Sequence, residues 1–190
     1  MTEQEIIKVF EETGALLNGH FILTSGRHSK QYFQCAQVLK YPELAERLCG
    51  QLARKFQQRN IDVVIAPAVG GIVVAHEVAR ALKVQALFAE RENGRMSLRR
   101  NFSIATAARV LVVEDVMTTG GSVSEVVDLV RRVGAKPVAV GCIVDRSAGK
   151  IDLGLPYRAL ISLNIESFSP DDPALADLGP AVKPGSRNLK

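Results

Sequence analysis

Residues 110–122, VLVVEDVMTTGGS, hold the densest set of groups able to do chemistry. An apolar run ends in Glu114 and Asp115, and a loop from Val116 to Gly121 follows, with a helix expected to open near Ser122. Val116 and Met117 are apolar; Thr118, Thr119, Gly120 and Gly121 supply hydroxyls and a compliant backbone. Glycines let backbone amides turn inward, and a helix start presents unpaired N–H groups at the positive end of its dipole. With the Ser122 hydroxyl added, the loop suits a phosphate monoester. Two carboxylates beside it would repel that phosphate, unless the ligand also offers hydroxyls to them or a divalent cation bridges. A ribose phosphate meets both conditions. An isolated acidic pair after a strand most often just begins a turn, but that reading does not account for the whole arrangement. Other phosphate motifs are absent: no Lys follows the glycines and there is no GxGxxG.

Two further stretches fit anions. In residues 66–71, Pro67, Val69 and Gly70-Gly71 make a stiff entry with exposed amides before another helix, as in an ordinary strand-to-helix turn or a second anion site. Residues 91–100 hold Arg91, Arg95, Arg99 and Arg100 against Glu92 alone, which suits either a solvated basic hairpin or a cover over phosphate. His76 falls on a helix as a surface or packing residue, His20 and His28 flank a turn, and no histidine cluster marks a metal site.

The elements that must position these groups are readable from periodicity. Thr2 and Glu5 have capping-box spacing ahead of Ile6, Ile7 and Phe10, and Gly14 is the stop of that first helix. Phe21, Leu23, Tyr32 and Phe33 suggest short strands around a polar turn. Pro42 opens a second helix with Leu44, Leu48, Leu52 and Phe56 at four-residue spacing and an end expected at Asn60. From Ile61 onward, five short β-branched runs are apolar throughout, as strands buried on both faces of a parallel sheet are. Helical segments after Gly70-Gly71 and Gly120-Gly121 complete a βαβ pattern. Asn93-Gly94 between partly alternating runs predicts a β-hairpin. The fold class is therefore α/β, a mainly parallel sheet flanked by helices, and ligands are expected outside the carboxyl ends of its strands.

The chain has 190 residues, enough for one ordinary domain and its core. Hydrophobic residues make up 47% and charged residues 23%, which argues against a disordered or fibrous chain. The three cysteines, Cys35, Cys49 and Cys142, are far apart and form no CxxC pair, so neither a disulfide framework nor a cysteine zinc site is expected. No apolar run approaches the ~18 residues of a membrane span, and the acidic amphipathic start is not a secretory signal, so a cytoplasmic location is expected. The net charge of +4 is a weak pointer to anionic partners; with 5% aromatic residues and no Trp, a nucleic-acid stacking platform is poorly supported.

Residues 110–122 resemble the phosphoribosyl-diphosphate signature of the type I phosphoribosyltransferases, and the whole chain to about Ser167 is similar to the orotate phosphoribosyltransferase family. GHFILTSGRHSKQYF resembles that family's amino-terminal segment, VVIAPAVGGIVVAHEVA its diphosphate loop, FAERENGRMSLRRNF its hood, and CIVDR its base-contacting arginine. The resemblance implies one domain over 1–190, with a small base-binding lobe at 1–40, a hood hairpin at 90–104 and a Pro-rich tail at 169–190. It implies transfer of a phosphoribosyl group from phosphoribosyl diphosphate to orotate with Mg²⁺, in a homodimer, with no nucleic-acid or membrane partner. It assigns Glu114 through Ser122 to the ribose phosphate, and Arg91, Val69 and Gly70 to the diphosphate. Thr118 and Arg146 go to orotate, with Tyr32 and Phe33 near its ring, and Arg95, Arg99 and Arg100 to the hood. Glu114, Asp115 and Arg91 are the implied catalytic groups; Mg²⁺ is implied to ride on substrate oxygens and water, with no protein ligand set. Well-known bacterial members carry lysines where this chain has Thr24 and Gly70, and a Lys-Asp-His-Gly hood, so a divergent, arginine-based hood is expected. The same residues leave open a transferase for another base, or a phosphoribosyl-diphosphate-sensing regulator.

Overall fold

The computed structural model describes residues 1–23, 26–147, 149–163 and 166–183. A six-stranded sheet carries the architecture. Its strands are β3 (Val63–Pro67), β4 (Gln85–Glu92), β5 (Arg95–Ser97), β6 (Arg109–Met117), β7 (Lys136–Asp145) and β8 (Tyr157–Ser162), in the order β5-β4-β3-β6-β7-β8. All neighbours pair in parallel except β5, which returns antiparallel along β4. After β3 the chain adds β4 on one side of it and then comes back to place β6 on the other. This reversal leaves a crevice between the carboxyl ends of β3 and β6, where ligands of such sheets bind.

Both faces of the sheet are covered, which is why its central runs are apolar without alternation. Val64, Ala66, Leu111, Val113 and Ile143 face a core shared with α1 (Glu3–Glu12), α3 (Pro42–Arg54) and α4 (Gly71–Leu82). Val63, Ile65, Val110, Val112 and Val140 face a second core with Val123, Val126, Val127 and Val130 of α5 (Gly121–Arg132). At the edge the rule relaxes: in β8, Arg158 and Ser162 are exposed while Ile161 is buried. That run reads as fully buried from its residues alone, but β8 has a neighbour on one side only.

The helices stop and start where local chemistry demands. Thr2 Oγ1 accepts from Glu5 N–H at 3.2 Å and Glu5 Oε2 accepts from Thr2 N–H at 2.8 Å, the reciprocal box that holds α1. α3 begins on Pro42 and ends at Arg54 rather than at Asn60; the intervening residues 57–59 form a 3-10 turn that lets Phe56 stay buried. The β4–β5 hairpin turns on Asn93 and Gly94, both left-handed at φ 49° and 80°, as a two-residue hairpin of this hand requires.

A separate two-stranded sheet joins β1 (Leu16–Ile22) antiparallel to β2 (His28–Phe33), and a four-residue helix, α2 (Ala36–Leu39), follows it. The carboxyl-terminal stretch lies over this small sheet. Phe168 bridges to His28, Val182 bridges to Phe21, and Leu175 is buried. Only the part of the 169–190 tail up to Lys183 is described; Pro184 and the residues after it lie outside the described residues, as does Thr24.

Candidate active site

β6 does not end at the acidic pair. It stays paired with β7 as far as Met117 opposite Asp145, so Glu114 and Asp115 belong to the strand and the turn is shortened to Thr118–Gly120. Both acids are half-buried and fold back onto the chain. Glu114 Oε1 accepts from Asp115 N–H at 3.1 Å, and Asp115 Oδ1 accepts from Val116 N–H at 2.8 Å. Burial, and then the neighbouring Asp115 charge, push the Glu114 carboxyl up to about 9, so it holds a proton at neutral pH.

Gly120 caps α5 in the left-handed conformation, φ 77°, and a Cβ there would stand 3.0 Å from Ile151 Cγ2. Glu114 and residues 116–123 line a recess of about 70 Å³ at this helix start. The hydroxyls and amides expected to meet a phosphate therefore surround one small space, with an acid at its rim.

The start of α4 comes against the same acids, which explains the two glycines there. A Cβ on Gly70 would lie 2.7 Å from Asp115 Oδ2, and one on Gly71 would lie 2.7 Å from Ala66 Cβ and 3.0 Å from Glu114 Oε1. Val69 just before them is 81% exposed, the posture of a loop that offers its backbone outward. Ala68 N–H is tied to Ala89 O at 2.8 Å, anchoring that loop to β4.

On the other side of the Thr118–Gly120 turn, a cleft of about 490 Å³ is lined by Thr118, Thr119, Arg146, Ser147, Lys150, Ile151 and Asp152. Arg146 N–H donates to Met117 O at 2.8 Å, which ties the arginine to the end of the signature strand. Its Nε is buried and has no hydrogen-bond partner among the described residues. Burial lowers the guanidinium's hold on its proton, with Tyr32 acting in the opposite sense. A buried donor of this kind is costly unless a ligand satisfies it.

The structure thus brings together Gly70, Glu114, Asp115, Thr118 through Ser122, and Arg146. It separates Tyr32 from Phe33. Successive residues of β2 face opposite sides, so Tyr32 stacks by Phe21 near Arg146, while Phe33 is buried edge-on against Phe10 at 6.0 Å in the core. Phe33 is therefore a packing residue and not a wall for the base. Arg91, Arg99 and Arg100 of the hood are paired with acids instead of converging. Arg91 makes a bidentate pair with Glu125 of α5, both contacts at 2.8 Å; Arg100 grips Glu90; Arg99 reaches Glu92 at 3.5 Å. Arg95 is exposed beside the hairpin turn. Ser147, Lys150 and Asp145 enter the site neighbourhood unannounced by the sequence; the turn residues of DRSAGK after a strand were the available signal.

Comparison with known proteins turns this geometry into a family. The family model described as phosphoribosyl transferase domain matches residues 35–170. Orotate phosphoribosyltransferases of Desulforamulus reducens and Pelotomaculum thermopropionicum are 55% and 56% identical to the chain, over the full length of both partners in each case. The chain belongs to the orotate phosphoribosyltransferase family. The crystal structure of the orotate phosphoribosyltransferase from Aeropyrum pernix superposes with a TM-score of 0.71 at 26% identity, covering 83% of this chain and 93% of that one. The mainly parallel α/β sheet expected from the βαβ pattern, and the type I phosphoribosyltransferase fold implied by the resemblance, are the ones observed.

Proposed function

We propose that the chain transfers the 5-phosphoribosyl group of 5-phospho-α-D-ribose 1-diphosphate to orotate, releasing orotidine 5′-monophosphate and diphosphate in pyrimidine nucleotide synthesis. The observation that carries the choice of base is the buried, unpartnered Arg146 Nε, beside a cleft that shares Thr118 and Thr119 with the phosphate recess. An anionic substituent on the base would give that donor a charge-assisted partner, which a neutral base does not supply.

In this reading the amides and hydroxyls of Thr118 through Ser122 hold the 5′-phosphate, and Asp115 with Glu114 accepts from the ribose hydroxyls. The C1–O bond to diphosphate breaks as a ring nitrogen of orotate bonds to C1, and the nitrogen's proton leaves to solvent or to the departing diphosphate. Positive charge builds on the ring and negative charge on the leaving group. The exposed loop of Val69 and Gly70 presents amides to that diphosphate, and Arg91, Arg95, Arg99 and Arg100 close on it, with Arg91, Arg99 and Arg100 exchanging their present carboxylate partners for phosphate oxygens. Tyr32 borders the base as part of the 1–40 lobe.

Among the described residues, no group of three or more His, Cys, Asp or Glu is placed to hold a metal ion. The site fits Mg²⁺ carried on diphosphate oxygens and water, with Asp115 as an outer contact, because Mg²⁺ keeps much of its own hydration. Such an ion would neutralise charge on the leaving group. A cytoplasmic homodimer, with one subunit's hood serving the other's site, is part of the same proposal; no helix is long and apolar enough to cross a membrane among the described residues.

The test is loss of orotate absorbance in the presence of the diphosphate donor, with and without Mg²⁺, alongside uracil, hypoxanthine and adenine. Orotate turnover is expected, and Asp115→Asn is expected to lower it by about 100-fold with the fold intact. Turnover of a neutral base in preference to orotate would refute the reading of Arg146.

A further inference from the structure

Asp145 ends β7 beside the site and is completely buried, 0% exposed. A carboxylate taken out of water is tolerated only if donors replace the water. Here they come from the loop that follows. Asp145 Oδ1 accepts from Ser147 N–H at 2.7 Å and from Ser147 Oγ at 2.6 Å, and Oδ2 accepts from Gly149 N–H at 3.0 Å. The Tyr157 hydroxyl of β8 lies 3.0 Å from Cys142 Sγ, on the same strand as Asp145. Holding the sheet together does not call for this group: β7 is paired with β6 along its length and with β8 from Val140 to Asp145, and Cys142, Ile143 and Val144 just before Asp145 are apolar and buried.

What the carboxylate fixes is the path of the chain just beyond Arg146. Arg146 is tied at its own N–H to Met117 O, and the next residues are gathered onto Asp145, so the side chain leaves a loop pinned at both ends. We infer that Asp145 is a positioning residue for base selection: through Ser147 and Gly149 it fixes the loop that aims the half-buried Arg146 side chain, with its buried Nε, across the cleft at an anionic group on the base. The inference rests on the proposed role of Arg146, and deepens it by naming what makes the arginine selective. Asparagine at 145 could not replace the carboxylate, because its amide nitrogen would face N–H donors that need an acceptor.

Two nucleotides isolate this effect. Orotidine 5′-monophosphate and uridine 5′-monophosphate share the phosphate and ribose and differ in the base carboxylate. Calorimetric titration of both into the wild type should show preference for the carboxylated nucleotide. Asp145→Asn should reduce the ratio of the two affinities by about tenfold or more while leaving uridine 5′-monophosphate binding within about twofold, and raise KM for orotate without raising KM for the diphosphate donor. In an Arg146→Ala background the same substitution should have no further effect on the ratio. An unchanged ratio, an equal loss of both affinities, or a further loss in the Arg146→Ala background overturns the inference. If Asp145→Asn does not fold, Ser147→Ala decides, since it keeps the carboxylate and removes one of its donors. A ratio reduced by about threefold supports the inference, and an unchanged ratio overturns it. A wild type that shows no preference removes the reading of Arg146 itself, and the inference with it, a result distinct from all of these.

Discussion

Gly70 and Gly71 are neighbours at the start of α4, yet adding one methyl group to each should break different things. At Gly71 the new Cβ would stand 2.7 Å from Ala66 Cβ, about an ångström inside contact distance, with Glu114 Oε1 at 3.0 Å on its flank. Ala66 has no side-chain torsion that could relieve this, and β3 is held on both sides by β4 and β6, so the backbone must move. Overpacking of that kind costs about 1–3 kcal/mol, which for a domain of this size lowers Tm by roughly 2–12 °C. At Gly70 the new Cβ would meet the Asp115 carboxylate at 2.7–2.9 Å, and that side chain can rotate away. Gly70 already has helical backbone angles, φ −58° and ψ −42°, so alanine fits the main chain. The off-rotamer cost is about 1 kcal/mol, but Asp115 loses its bond from Val116 N–H and its aim at the ribose. Gly71→Ala should therefore lower Tm with modest change in KM. Gly70→Ala should leave Tm within a few degrees and raise KM for the diphosphate donor by about tenfold or more. Differential scanning calorimetry and steady-state kinetics on the two variants separate the outcomes. A normal Tm for Gly71→Ala together with a normal KM for Gly70→Ala would refute the packing of α4 onto the acidic pair.

Three more outcomes can be checked. Glu114 is protonated in the fold up to about 9 but ionises near 4.5 when exposed, so its stabilising contribution is complete below 4.5 and disappears as pH rises through about 9; Tm of the ligand-free protein should fall between pH 6 and pH 9.5, and Glu114→Gln should flatten that fall. Burial raises all three thiols, Cys49 and Cys142 to about 12, so a thiol reagent at pH 8 should label the native protein slowly and label three cysteines rapidly in guanidinium. Phe33→Ala should cost about 3–5 kcal/mol of stability by emptying its place against Phe10, whereas Tyr32→Phe should leave Tm unchanged; a large Tm loss for Tyr32→Phe would contradict the assignment of the two faces of β2.

The sheet was legible because its strands are buried on both faces, and a run such as residues 63–67 can be little else when glycine and then a helical pattern follow it. The acidic pair with its Thr/Gly turn was legible because each residue type has a separate chemical reason to be there. Three features were hidden for physical reasons. Which of Tyr32 and Phe33 faces the site depends on strand parity, and the bulge between Asn18 and Phe21 in the partner strand leaves the sequence without a frame to count from. The hood arginines looked like free positive charge because Glu90 and Glu125 are brought to them by the fold: Glu90 sits ten residues before Arg100, across the hairpin, and Glu125 lies on α5. Asp145 reads as the polar end of a strand, and only its burial reveals the loop it holds.

In the proposed reaction the carboxyl ends of β3, β6 and β7 form one site, with a phosphate at the turn before α5 and, across that turn, an anionic base at Arg146. A crystal structure with orotidine 5′-monophosphate bound tests it most directly. The phosphate should lie within hydrogen-bond distance of the amides of residues 118–122, the ribose hydroxyls on Asp115, and the base carboxylate on Arg146 Nε. A nucleotide seated elsewhere, such as the basic cleft formed by Arg54, Lys55, Arg59 and Arg109 at the other end of the sheet, would contradict it.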